Sequence, residues 1–487
     1  MTVAYYHRSW KRHAPSQYLV ILLAVLFALL VPAESAAVVK YLPGYPGELP
    51  FYLETGYVGV GDDEVVQLFY YLVESQSKNS STDPLLFWVN GGPGCSSLAG
   101  FFFESGPLNF EVAGYNGSMP SMHLNPFTWT KSVNVVYMDA PVGTGFSYAT
   151  TSKGYYLDDD NFASQLFQFI KKWLDDHPGF AENELYVGGD SYSGTPIPIF
   201  VEGIVQGKWK GSSDLNLKGY VLGNPVTDTF IDDNSRIPYA HRLTLISDKI
   251  FAAANKSCNG NFVVVDPTNV DCITDIDTID ELVQQVLLVH VLEPNCKNAL
   301  GLPIPTAPEN PTISARRSLA WKKLGSSIRS RAKGPALWCR NYNHMLCMKW
   351  ANHKEVRAAL HVRDGTKSAW LYCNSSLAYT ENVKSVIPYH KNLTRSDLRA
   401  LIYSGDHDMS IPHMGTQKWI DFLNMTLLQK WRPWFVTNQT AGYTKNYTSN
   451  KFSLTFATIK GAGHFAAEYK VRECSAMVRR WMAYQEV

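Results

Sequence analysis

Apolar residues gather in short uncharged runs from about residue 85 onward, and each run ends at a turn. The run 85–90 (LLFWVN) passes directly into the glycine turn GGPG. Similar runs occupy 134–141 (NVVYMDAP), 184–190 (ELYVGGD), 217–225 (LKGYVLGNP) and 398–406 (LRALIYSGD). Brief apolar runs bounded by turn residues predict buried strands. Residues 161–178 (NFASQLFQFIKKWLDDHP) instead place apolar side chains at helical intervals and stop at Pro178, which predicts a helix. Strands alternating with helices predict an α/β fold, a mostly parallel central sheet covered on both faces. Between about 227 and 357 the strand signal fades, which predicts a largely helical insertion, or cap. Within it, residues 315–333 carry seven Lys and Arg and no acid. Such a stretch reads as a solvated linker open to proteases.

The opening residues follow a different pattern. Arg8, Lys11 and Arg12 precede 14 uncharged residues, 18–31, and then Pro32 and a run of small side chains. That order predicts a secretory signal peptide over 1–36. An apolar run needs roughly 20 residues to span a bilayer, so no membrane segment is expected after cleavage. Eight Asn-x-Ser/Thr sequons agree with export: Asn79, Asn116, Asn255, Asn374, Asn392, Asn424, Asn438 and Asn446. The eight cysteines contain no C-x-x-C pair and no His cluster at zinc spacing, so they read as disulfide formers rather than metal ligands. The expected organisation is a signal peptide (1–36), a first core segment (37–226), the cap with its basic linker (227–357) and a second core segment (358–487).

Charge narrows the partners. The 44 Lys and Arg balance 43 Asp and Glu among 487 residues, and 45% of the chain is hydrophobic. A balance of +1 lacks the electrostatic footprint of a nucleic-acid binder. The composition is that of a folded globular chain.

Chemistry concentrates after the strands. Gly189-Asp190-Ser191-Tyr192-Ser193-Gly194 contains G-x-S-x-G directly behind an apolar run. That setting is a nucleophile elbow, which lifts a serine hydroxyl above the sheet edge. Serine needs a base and an acid to orient that base, and in this arrangement they follow it in chain order. Asp406 and Asp408 follow the run 398–406, and His464 stands in the glycine-rich turn KGAGH. Spacing leaves both aspartates open. The glycines of Asn90-Gly91-Gly92-Pro93-Gly94 would let backbone N–H groups approach an oxyanion.

Further motifs carry a specific likeness. LPGYPGELPFYLETGYVGV (42–60), FWVNGGPGCSSLAG (87–100), FESGP (103–107), MDAPVGTGFSY (138–148), GDSYSG, YSGDHD and KGAGH run through the chain. Together they resemble the serine carboxypeptidase family of α/β-hydrolases, and within it the plant serine carboxypeptidase-like branch. The resemblance implies a Ser191–His464–Asp408 triad and an oxyanion hole from the N–H groups of Gly92 and Tyr192. It implies disulfides Cys95–Cys373, Cys258–Cys272 and Cys296–Cys339, with Cys347 and Cys474 left as buried thiols. No cofactor or metal is expected.

In the peptidases of that family an Asn, a Gly and two Glu hold the substrate's C-terminal carboxylate. Asn90, Gly91 and Glu104 stand at three of those positions, and Asp190 replaces the second Glu. GDSYSG and the sequence after His464 resemble the acyltransferase members, which move an acyl group from a 1-O-β-glucose ester to an alcohol or amine. Asn90 is the peptidase residue. The implied substrates are therefore an acyl-glucose donor with a small acceptor, or a peptide cleaved at acidic pH. The compartment is expected to be vacuolar or extracellular, and the oligomeric state is left open.

Overall fold

The computed structural model describes residues 36–295 and 339–487. All but the last residue of the expected signal peptide, together with Cys296 and the basic linker 315–333, lie outside the described residues. Residue 36 itself already stands in the first strand.

One large sheet organises the chain. Its strands are β1 (Ala36–Val38), β2 (Leu53–Val60), β3 (Val66–Val73), β4 (Leu85–Val89), β5 (Asn134–Asp139), β6 (Leu185–Asp190), β7 (Leu217–Gly223), β8 (Arg399–Gly405), β9 (Thr426–Val436), β10 (Gln439–Ser449) and β11 (Phe452–Ile459). They lie in the order β1-β2-β3-β5-β4-β6-β7-β8-β11-β10-β9, and a short strand, Tyr148–Ala149, joins β3. The centre, from β5 to β11, is parallel. Both margins are antiparallel, which the expectation of a mostly parallel sheet did not include. The reason is chain length. Two to five residues join β2 to β3, β9 to β10 and β10 to β11. A parallel return needs a crossover of a dozen or more.

Each central strand is buried on both faces, so its residues alternate between two cores. Trp88, Tyr137, Tyr186, Val221 and Leu401 pack on one side with Trp350 and Trp481. Phe87, Val187, Tyr220, Leu222 and Ile402 pack on the other. There they meet Phe162, Leu166, Phe169, Ile170 and Trp173 of helix α1 (Asp159–Asp176). Asp158 caps that helix, its carboxylate accepting from Asn161 N at 2.9 Å, and His177 ends it before Pro178. Between β7 and β8 the chain is mostly helical, with helices Thr229–Asn234, Arg236–Arg242, Asp248–Ser257, Val270–Val283, Asn341–Ala351, Lys354–Ala359 and Ile387–Leu393 and one short strand, Tyr379–Thr380, among the described residues. Part of this insertion has a core of its own around Ile237, Tyr239, Ile246, Phe262, Ile276 and Ile279, pinned by the Cys258–Cys272 disulfide.

Parallel strands deliver their following loops to one edge. Asn90 follows β4, Ser191 follows β6, Asn224 follows β7, Asp408 follows β8 and His464 follows β11. The carboxyl edge of a parallel sheet is where open α/β folds build their sites.

Candidate active site

β6 ends at Asp190, and Ser191 turns with φ of +53°, in the left-handed region that a side chain rarely adopts. The strain is what lifts the hydroxyl out of the strand line. Ser191 Oγ lies 2.8 Å from His464 Nε2, and His464 Nδ1 lies 2.7 Å from Asp408 Oδ2. All three residues are at most 3% exposed, so water competes little for these bonds. Asp408 is saturated: Oδ1 accepts from the backbone N–H groups of Ser410 (2.7 Å) and Ile411 (3.2 Å), and Oδ2 also accepts from Asn224 Nδ2 at 2.8 Å. Asp406 is engaged elsewhere, with His407 Nδ1 at 2.6 Å and Gly461 N at 2.7 Å.

The cap contributes a backbone strap across both turns. Leu288 O accepts from Met409 N (2.9 Å) and Ser410 N (3.1 Å), Val289 O accepts from His464 N (2.7 Å), and Val291 N donates to His407 O (3.1 Å). Arg236 adds a side-chain tie, its guanidinium donating to Ser410 O at 3.1 and 2.9 Å and pairing with buried Asp233 at 3.1 Å. Neither feature stood out in the sequence, because a carbonyl contact has no residue signature. Asn224 carried a usable signal: it follows an apolar strand directly, as Asn90 and Ser191 do.

Gly92 and Tyr192 line the cavity over Ser191, with Val226, Arg236, Ile411 and His464. The turn carrying Gly92 presses on the elbow. A Cβ at Gly91 would stand 2.6 Å from Tyr192 N and 2.7 Å from Ser191 Cβ, so only glycine allows this approach. The Cys95–Cys373 disulfide joins this turn to residues 372–374, and Asn374 N donates to Gly94 O at 2.8 Å. Tyr192 is held through its ring: its hydroxyl donates to Asp159 Oδ1 at 2.5 Å, and Tyr379 OH donates to the same oxygen at 2.8 Å.

Behind the elbow lies a buried acid cluster. Asn90 Nδ2 donates to Glu104 Oε1 at 2.6 Å and reaches both oxygens of Asp190 at 3.3 Å. Gly91 N donates to Asp190 Oδ1 at 2.9 Å. Burial, then the charge of Asp190, pushes the Glu104 carboxyl well above its usual range. Burial pushes Asp190 up to about 6, against the pull of the His464 charge and of the Gly91 and Asn90 donors. Two acids so close favour one shared proton. The remaining four cysteines divide: Cys347 and Cys474 are buried free thiols, Cys339 is disulfide-bonded, and its expected partner Cys296 lies outside the described residues. Among the described residues no group of three or more His, Cys, Asp or Glu is placed to hold a metal.

A parallel-centred sheet, a serine elbow and an Asp–His pair at its carboxyl edge define the class: an α/β-hydrolase. Comparison with known proteins narrows it. The serine carboxypeptidase family model matches residues 43–484. Serine carboxypeptidase-like 16 of Arabidopsis thaliana is 42% identical over 466 residues, 96% of this chain and 98% of that protein. Serine carboxypeptidase-like 19 of the same plant is 43% identical over 468 residues, with the same coverage. A prohormone-processing carboxypeptidase of Saccharomyces cerevisiae superposes with a TM-score of 0.69 at 18% identity, covering 92% of this chain and 95% of its own. The chain belongs to the serine carboxypeptidase family, and it is an enzyme of that type.

Proposed function

We propose that this enzyme is an acyltransferase that moves an acyl group from a 1-O-β-glucose ester to a small alcohol or amine. Ser191 attacks the ester carbonyl, its proton passes to His464 Nε2, and Asp408 stabilises the imidazolium. The N–H groups of Gly92 and Tyr192 stabilise the oxyanion, glucose leaves with the proton from His464, and the acceptor resolves the acyl-enzyme by the reverse route. Transfer prevails over hydrolysis when the acceptor is held in attack position, where effective molarity outweighs bulk water.

The observation that carries this reading is the hydrogen bond from Gly91 N to Asp190 Oδ1 at 2.9 Å. In the resembling peptidases, the Gly and Asn at these positions receive the substrate's terminal carboxylate. Here both are engaged by the enzyme's own carboxyl groups. Carboxypeptidase action is the second reading, favoured by the presence of Asn90, Gly91 and Glu104 together. The expected signal peptide, the sequons and the disulfides support a vacuolar or extracellular location.

The test compares wild type with Asp190→Glu on an N-blocked dipeptide and on acyl-glucose esters with a panel of acceptors, at pH 5 and pH 7. Wild type should transfer acyl groups and cleave the dipeptide poorly. One added methylene should carry the carboxyl off Gly91 N and raise peptide cleavage about tenfold, or roughly 1.4 kcal/mol of transition-state binding. The gain should be larger at pH 5, because burial raises the pKa of Glu104, and a proton shared between it and the new glutamate lets the pair accept an anionic ligand. Efficient dipeptide cleavage by the wild type, without transfer, would establish the peptidase reading instead.

A further inference from the structure

Asp139 is the last residue of β5 and is fully buried. Its carboxylate collects four donors from three directions. Oδ1 accepts from Ser96 Oγ (2.5 Å) and Ser97 N (3.0 Å). Oδ2 accepts from Phe146 N (2.9 Å) and Tyr71 OH (3.2 Å). Ser96 and Ser97 close the turn that begins at Asn90 and carries Gly91 and Gly92. Ser97 Oγ also accepts from Asn90 N at 3.0 Å and donates to Met138 O at 2.5 Å. The far end of the turn is therefore fastened to the last two residues of β5, and its near end at Asn90 is tied back to Ser97.

The opposite side of Asp139 is walled. A Cβ on Gly145 would stand 2.0 Å from Asp139 Oδ2, so the loop 141–146 presses directly on the carboxylate. Lys367 backs that loop, its ammonium donating to the Gly143 carbonyl (2.5 Å) and reaching the Ser147 carbonyl (3.4 Å). Burial pushes the Asp139 carboxyl up to about 6, while its donors pull it down. The carboxylate has no room to move away from the turn it holds.

We infer that Asp139 is a positioning residue for the oxyanion hole, fixing the Gly92 turn against the elbow through Ser96 and Ser97. The inference rests on the acyl-enzyme reading above. A misplacement of about 1 Å at such a donor costs up to about 10²-fold in rate. The Cys95–Cys373 disulfide also restrains the turn, so a loss of about tenfold to thirtyfold is expected rather than the 10²–10³ of a deleted donor.

The experiment uses Asp139→Asn and Ser96→Ala. The asparagine keeps the shape but offers one acceptor oxygen, and the alanine removes one donor to the carboxylate together with the acceptor of Leu98 N (3.2 Å) and Trp370 Nε1 (3.3 Å). Three quantities are compared with wild type: kcat/KM on an arylacyl-glucose ester, Ki of an arylboronic acid, and Kd of the matching arylalkyl β-glucoside. The boronic acid forms a tetrahedral adduct with Ser191 Oγ that places an oxygen in the hole. The glucoside has no carbonyl and reports ground-state binding only. Both variants should lose kcat/KM and boronate affinity by the same factor, with glucoside affinity within about twofold of wild type, all read well below the melting temperature of each variant. Unchanged boronate binding in both variants, or glucoside affinity falling in step with it, would overturn the positioning role. A wild type that forms no boronate adduct at Ser191 would instead overturn the acyl-enzyme reading itself.

Discussion

At the scale of single residues, burial decides which ionisable groups can serve. Asp408 has four donors around a fully buried carboxylate, which fix its position beside His464. His390 shows the opposite case. It is fully buried, stacks on Trp419 at 4.6 Å, and its Nδ1 lies 2.9 Å from the Tyr220 hydroxyl. Burial drives its pKa down to about 3. The unfolded chain protonates this imidazole below about 6.5, while the folded chain keeps it neutral, so stability is full above that pH and is lost as pH falls. His390→Phe keeps the stack and removes the titration. Urea midpoints at pH 7 and pH 4.5 should show a smaller acid loss in the variant, by about 2 kcal/mol. An equal acid loss in both proteins would remove His390 from the account. Ser191, His464 and the two aspartates were legible in sequence because each follows an apolar run at a turn. Asp159 and Asp139 were not. Their roles arise from what lies across the fold, Tyr192 and the Ser96–Ser97 turn, and separation along the chain hides such pairs.

At the scale of elements, the central strands were legible because burial on both faces leaves continuous apolar runs. The margins were not singled out, although β2 and β3 are largely buried, and the edge strand β9 is mostly exposed. It presents Leu427, Leu428, Trp431 and Phe435 to solvent, an aggregation hazard for an edge. Pro433 and three breaks in register blunt its pairing edge. The sequons of this hairpin divide by position. Asn424 precedes β9 and Asn438 forms the tip of the turn, both exposed. Asn446 is inside β10, and its Nδ2 donates to Gln429 Oε1 at 2.7 Å, a bond that a sugar would displace. Glycopeptide mapping of protein from a eukaryotic host should find glycans at Asn424 and Asn438 and an unmodified Asn446. Full occupancy at Asn446 would show that the hairpin tolerates losing that bond.

At the scale of the whole molecule, the cap completes the site. The strap at 288–291 holds the Asp408 and His464 turns with four backbone hydrogen bonds, so two core loops are set by a segment of the insertion. The sequence indicated a helical insertion there but could not show that its backbone reaches the turns of Asp408 and His464. The acid cluster lies beside the elbow, because Asp190 directly precedes Ser191 and holds Gly91 N. The most direct measurement is intact-mass and peptide mass spectrometry of the purified enzyme mixed with an acyl-glucose ester, with and without an acceptor alcohol. An acyl adduct on the Ser191 peptide, absent in Ser191→Ala and discharged faster by the alcohol than by water alone, is the predicted result. An enzyme that turns over the ester without any adduct on Ser191, or whose adduct is discharged only by water across the acceptor panel, would contradict acyl transfer.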